Sequence, residues 1–194
     1  MSVTQEKNKS FVVWFTGLSG AGKSTLSDKV YKYLKEKNIK VELLDGDAIR
    51  HILPNIGFSK EERDNHIKRV GFLSSMLEKN DVTVVASFIS PYKEARDFVR
   101  GLCAHFIEVY VKASLEACEC RDVKGLYKKA RSGQIQHFTG ISDPYEAPQK
   151  PELVIETDKQ TIEESFLSIK NYLDKNFLET KSEILNKDHK KEKV

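Results

Sequence analysis

The sequence predicts an α/β fold, a five-stranded parallel sheet flanked by helices with a basic insertion between the fourth and fifth strands, and three observations carry that prediction. Short apolar runs alternate with stretches whose apolar residues recur every three or four positions, the order that strand–helix–strand units require. The first run, within Phe11–Thr25 (FVVWFTGLSGAGKST), breaks into a glycine loop and then a helical pattern, the arrangement that cradles phosphate. Residues able to do chemistry follow the strand candidates, where an open parallel sheet collects its ligands.

Each element has its own warrant. Val12 to Phe15 form a continuous apolar run suited to a strand buried on both faces, placing a strand at 11–16. Leu26, Val30 and Leu34 give a helix over 24–37, and further strands are expected at 40–44, 82–88, 105–111 and 153–156. Ser59 with Glu62 makes a capping box ahead of Ile67, Val70, Leu73 and Leu77. Thr161 with Glu164 repeats the device ahead of Phe166, Ile169 and Leu173, and Ser114 caps the helix carrying Cys118. Ser90 before Pro91 reads as a helix N-cap with proline at the first helical position. The expected organisation is a flexible N-terminus over 1–10, one domain over 11–178, and a charged, flexible tail over 179–194.

Composition narrows the function classes. A chain of 194 residues, 39% hydrophobic and 31% charged, suits one globular domain. Its net charge of +3, mixed in sign along the chain, gives no ground for a nucleic-acid or membrane partner. No apolar segment reaches the roughly 20 residues that cross a bilayer. Cys103, Cys118 and Cys120 lack the spacing of a metal site, and with no secretory signal ahead of them the expectation is a reducing, cytoplasmic setting, an organelle remaining open.

The candidate site reads from the strand ends. Gly17, Leu18, Ser19, Gly20, Ala21, Gly22, Lys23, Ser24 and Thr25 would wrap a nucleoside triphosphate, with Lys23 on the outer phosphates and Ser24 on magnesium. Asp45 and Asp47, separated by a flexible Gly46, can hold a magnesium-bound water or accept a hydroxyl proton; Asp-Gly is equally an ordinary turn. Arg50, Phe58, Arg63, His66 and Arg69 offer guanidinium forks for anions and a ring for a base, or make a solvated helix face. Ser90 could serve as a nucleophile or phosphate contact, a role compatible with the capping that Ser-Pro favours. Lys124, Lys128, Lys129, Arg131 and the turn Phe138-Thr139-Gly140 belong to an insertion over 121–151 that reads as a lid, or as a solvated basic helix.

Together these blocks resemble the adenylylsulfate (APS) kinase family of P-loop NTPases. GLSGAGKST, LDGD, GFS followed by Arg63, SFISPY, RDVKGLYKKAR and FTGISDPYEAP stand in the family's order from about Phe11 to Leu173. The resemblance implies a P-loop kinase that phosphorylates the 3′-hydroxyl of adenosine 5′-phosphosulfate, with ATP as donor and Mg2+ as cofactor. It implies an acceptor site of Arg50, Phe58, Arg63, Lys124 and Phe138, the two phenylalanines sandwiching the adenine, and Arg121 packed over the ATP adenine. Asp47 is implied as the base or magnesium-linked carboxylate with Asp45 beside it, and Ser90 matches a position associated with a phosphoserine intermediate. His66 departs from the family's asparagine, Asn65 standing one place early. A homodimer and ATP sulfurylase as metabolic partner are also implied. Two alternatives accompany this reading: a kinase for another nucleotide with a diphosphate-like head, and a non-catalytic nucleotide-binding subunit.

Overall fold

The computed structural model of the chain describes residues 9–52, 57 and 59–178. Among them β1 (Val12–Thr16), β2 (Val41–Asp45), β3 (Thr83–Ser87), β4 (Phe106–Lys112) and β5 (Leu153–Glu156) form one five-stranded sheet, all parallel, in the order β2-β3-β1-β4-β5. The connections carry α1 (Lys23–Glu36), α2 (Gly46–Ile52), α3 (Lys60–Lys79), α4 (Lys93–Leu102), α5 (Leu115–Arg121), α6 (Leu126–Arg131) and α7 (Ile162–Leu173), with a π-turn over Asp174–Leu178 after α7. The insertion between β4 and β5 holds α5, α6 and the turns that follow.

Strand β1 is the middle of the sheet, and its period-two alternation divides the core. Val12 and Trp14 face Val84 and Ala86 together with Ile67 and Val70 of α3 and Ala95 and Val99 of α4. Phe11, Val13 and Phe15 face the other way, against Leu26 and Val30 of α1 and Ile169 and Leu173 of α7. Covering both faces explains why the β1 sequence is unbroken by polar residues. Each such side chain contributes about 1.5–3 kcal/mol on burial, so β1 is a rigid base for the loop leaving it.

Both capping boxes form. Ser59 accepts from the Glu62 N–H at 3.3 Å while Glu62 accepts from the Ser59 N–H at 3.0 Å, and Thr161 and Glu164 do the same. Ser114 caps α5 through the Ala117 N–H at 3.2 Å. The Ser90 cap does not form. The N-cap of α4 is Tyr92, and the first N–H of that helix, on Lys93, goes to the Glu146 carboxylate at 2.6 Å. Ser90 instead has φ 39° and is drawn into the sheet edge by tertiary hydrogen bonds that outweigh its local preference.

Candidate active site

The glycine loop leaves β1 beside β4 with no room for a side chain: a Cβ on Gly17, whose φ is 152°, would stand 2.4 Å from the Val111 carbonyl oxygen. Distant residues hold the loop from outside. Tyr127 Oη donates to the Ser19 carbonyl at 2.8 Å, Arg121 Nη1 to Gly20 at 3.2 Å, and Thr157 Oγ1 to Ala21 at 2.7 Å. Across a trans peptide the N–H of the following residue points the opposite way. The Gly20 and Gly22 N–H groups are therefore turned inward, while Ala21 closes the turn by donating to Leu18 at 3.2 Å. The result is an anion nest at the positive end of α1. Lys23 is buried, donates to the carbonyls of Gly17 at 3.0 Å and Leu18 at 2.7 Å, and has its pKa lowered to about 8, chiefly by burial. Ser24 and Thr25 begin α1 exposed.

At the end of β2 the two carboxylates divide their work. Asp45 Oδ1 accepts from the N–H groups of Asp47 at 3.0 Å and Ala48 at 3.4 Å, capping α2. Asp47, one residue into the helix, is exposed and forms an ion pair with Lys124 from the basic insertion. Gly46 is not the flexible joint its sequence suggests, since it is helical. A Cβ there would lie 3.3 Å from both the Phe88 ring and the Ser87 carbonyl, a tight fit that asks these neighbours to give by a few tenths of an ångström. Arg50 follows on α2, its pKa lowered by burial and then by the like charge of Arg63.

The first turn of α3 aims Arg63 across the crevice. The guanidinium is buried, donates to Thr139 Oγ1 at 2.8 Å and to the His137 carbonyl, and lies 3.4 Å from Asp143 Oδ2. His66, one turn on, is 2% exposed and edge-on to Phe88 at 5.7 Å. Neither ring nitrogen has a hydrogen-bond partner among the described residues, and burial followed by the charges of Arg50 and Arg69 lowers its pKa to about 4. It is therefore a neutral imidazole with two unused polar atoms. Phe138 is buried in the larger core cluster with its ring edge-on to Tyr127, 4.9 Å between centroids. Phe58 lies outside the described residues.

Ser90 is 1% exposed and belongs to a hydroxyl network. Its Oγ accepts from Trp14 Nε1 at 3.1 Å and donates to Thr16 Oγ1 at 3.0 Å, and Tyr145 Oη lies 3.0 Å from the same Thr16 oxygen. Arg96, also buried, donates to the carbonyls of Ser90 at 2.7 Å and Glu146 at 2.6 Å and to Glu108 at 2.9 Å, tying the β3 loop to the insertion. Arg121, read as a nucleotide contact, adds a 2.7 Å bond to the Thr157 carbonyl, fixing it beside the glycine loop.

The structure thus brings together Gly17 to Ser24 and Arg121 on one side, and Arg63, His66 and the Phe138 turn on the other, with the Asp47–Lys124 ion pair at the crevice mouth. Sequence reading missed Tyr127, Thr157, Tyr145 and Arg96. Tyr127 and Tyr145 lie inside RDVKGLYKKAR and FTGISDPYEAP, blocks read for their charge and their turn, whereas Thr157 and Arg96 lie in no block that signals chemistry. Chemically, the two sides can hold a polyanion against a cation-rich crevice with an exposed carboxylate, paired to Lys124, at its mouth.

Comparison with known proteins follows the same lines. The sequence profile described as adenylylsulphate kinase matches residues 9–156. An adenylyl-sulfate kinase of Halothermothrix orenii is 54% identical over 86% of this chain and 90% of its own length. A probable adenylyl-sulfate kinase of Pseudomonas aeruginosa is 53% identical over 84% of this chain and 77% of its own. The APS kinase of Mycobacterium tuberculosis, solved in complex with AMPPNP and APS, superimposes with a TM-score of 0.81 at 39% identity, covering 86% of this chain and 98% of that one.

Proposed function

The chain belongs to the adenylylsulphate kinase family, and on that premise we propose that it transfers the γ-phosphoryl group of ATP to the 3′-hydroxyl of adenosine 5′-phosphosulfate, with the two halves of the crevice holding donor and acceptor. The observation that carries this assignment is Asp47, an exposed carboxylate at the crevice mouth with Lys124 of the basic insertion upon it. A phosphotransferase needs such a group where the acceptor hydroxyl meets the donor phosphate.

Lys23 and the inward N–H groups of the loop hold the outer phosphates, and Arg121 borders the donor base. Arg50, Arg63, Lys124 and His66 take the acceptor's anionic head and polar edges, with Phe138 and Phe58 on its base. Asp47 takes the proton of the 3′-hydroxyl, directly or through a water, as oxygen 3′ bonds to the γ-phosphorus and the bond to the ADP oxygen breaks. The donor set fits magnesium, since Ser24 and Asp47 are both hard oxygen ligands at a site where the substrate phosphates and water supply the remainder. Magnesium would neutralise charge developing on the transferred phosphate and the departing ADP. Ser90 has a positioning role, because its hydroxyl is committed to Thr16 and Trp14 beneath the site. Transfer is direct, requiring only alignment and charge stabilisation.

Among the described residues no helix is long and apolar enough to cross a membrane. A cytoplasmic enzyme supplied with APS by a sulfurylase suits the reading. So does self-association through α3 and α4, where Phe72, Met76 and Phe98 are 45–56% exposed. The decisive assay follows ADP release with and without APS, repeated on Asp47→Ala. APS-dependent release that falls about 10²-fold or more in the variant supports the reading, whereas ADP release indifferent to APS removes it.

A further inference from the structure

Beyond assigning two nucleotide sites, the structure points to a physical link between them: we propose that Tyr127 is a positioning residue through which filling the donor loop prepares the acceptor site. Tyr127 is buried at 2% exposure and touches both halves at once. Its hydroxyl donates to the Ser19 carbonyl inside the phosphate loop at 2.8 Å, and its ring meets Phe138 edge-on at 4.9 Å and 79°. Asp122 fixes the position of Tyr127 at the start of α6 by accepting from its N–H at 3.1 Å and from Lys128 at 3.1 Å.

A second contact runs parallel to the first. The turn after Phe138 closes through Gly140, whose φ is 91° and whose N–H donates to the Asp143 carbonyl at 2.7 Å. A Cβ on Gly140 would come within 3.1 Å of Leu18 Cδ2 and 3.3 Å of Leu115 Cδ1, so the turn lies directly against the side chain of a phosphate-loop residue. Asp143 of that turn also faces Arg63. The donor loop and the acceptor turn therefore share a packed boundary made by Leu18, Tyr127 and Phe138.

The consequence is thermodynamic. Phosphate that engages the loop's N–H groups fixes the peptide planes whose carbonyls face outward, Ser19 among them, and a fixed Ser19 carbonyl fixes the Tyr127 hydroxyl. The ring then holds Phe138 in place before the acceptor arrives, and the acceptor is spared the cost of ordering it. Linkage requires the effect to be mutual, so APS must tighten the donor nucleotide by the same factor.

This inference rests on the two-site reading above, and the experiment separates the two. APS binding to the full-length chain is measured by titration calorimetry with and without saturating AMPPNP and Mg2+, on the wild type and on Tyr127→Phe, which keeps the ring and deletes only the hydroxyl. The quantity read is the ratio of the two Kd values, whatever happens to either alone. The wild type should bind APS about fivefold or more tightly when AMPPNP is present, the lower end of ordinary coupling between sites, and the ratio should fall toward one in the variant. A wild-type ratio of one or below, or a variant ratio equal to the wild type's, overturns the inference. Failure of the wild type to bind APS at all removes the acceptor assignment itself, and the inference with it. Should the variant not fold, amide exchange on the wild type decides: APS alone should slow exchange across residues 17–24, and unchanged exchange contradicts the link.

Discussion

The donor half of the crevice is written in one stretch of nine residues, Gly17 to Thr25, whereas the acceptor half is assembled from α2, α3, the end of β3 and the insertion after β4. The donor loop's pattern is local, with its glycines, a helix N-terminus and a lysine six residues on that reaches back to the Gly17 carbonyl, although Val111, Tyr127, Arg121 and Thr157 crowd and hold it from far along the chain. The acceptor half depends on contacts spanning 70 or more residues, such as Arg63 with Thr139 and His137. A generic phosphate grip can be specified locally. Selecting a second substrate takes the folded chain, and each long-range contact that builds that site also contributes to holding the fold together.

Breaking the longest of those contacts should produce the largest effect. Arg63→Met leaves the Thr139 hydroxyl and the His137 carbonyl without their donor and Asp143 without the buried charge it faces at 3.4 Å. A loss of about 3 kcal/mol in folding stability is expected, since breaking one side of a buried pair strands the other. It is read as a lower urea midpoint, together with a raised KM for APS and a largely spared KM for ATP. Equal damage to both KM values would erase the distinction between the halves.

His66 sharpens the comparison from the side of pH. Its folded-state pKa of about 4 lies below the ordinary 6.5, so the unfolded chain binds the extra proton first as pH falls. Stability is therefore full above pH 6.5 and declines as pH drops toward 4, by up to about 3 kcal/mol from this group. His66→Asn should flatten that part of the stability profile while preserving turnover near neutrality, where the imidazole is already neutral. An unchanged slope between pH 6.5 and 4 would mean that other groups carry the acid sensitivity.

Legibility in the sequence followed the same divide. All five strands lie within a residue of where apolar runs put them, and both capping boxes and the Ser114 cap form as their spacing requires. Asp45 and Asp47 stand together at the end of β2, where the cap made by Asp45 is signalled by its place just before a helix, but the pairing of Asp47 with Lys124 is not. Ser90 was misread as a cap because Ser-Pro is a strong local pattern, and the partners that override it, Trp14 and Thr16, are more than 70 residues away. Tyr127 was hidden inside a run read for its charge, although its hydroxyl and ring, not its charged neighbours, join the loop to Phe138.

The non-local half of the crevice is what makes this loop the donor side of an APS kinase. This is tested most directly by comparing kcat/KM for APS with that for AMP and for guanosine 5′-diphosphate as acceptors, at one saturating concentration of ATP and magnesium. The predicted result is a preference for APS of about 10²-fold or more over both, as expected where buried polar groups are matched to one substrate. Comparable values for the three acceptors, or a preference for the diphosphate nucleotide, would contradict it.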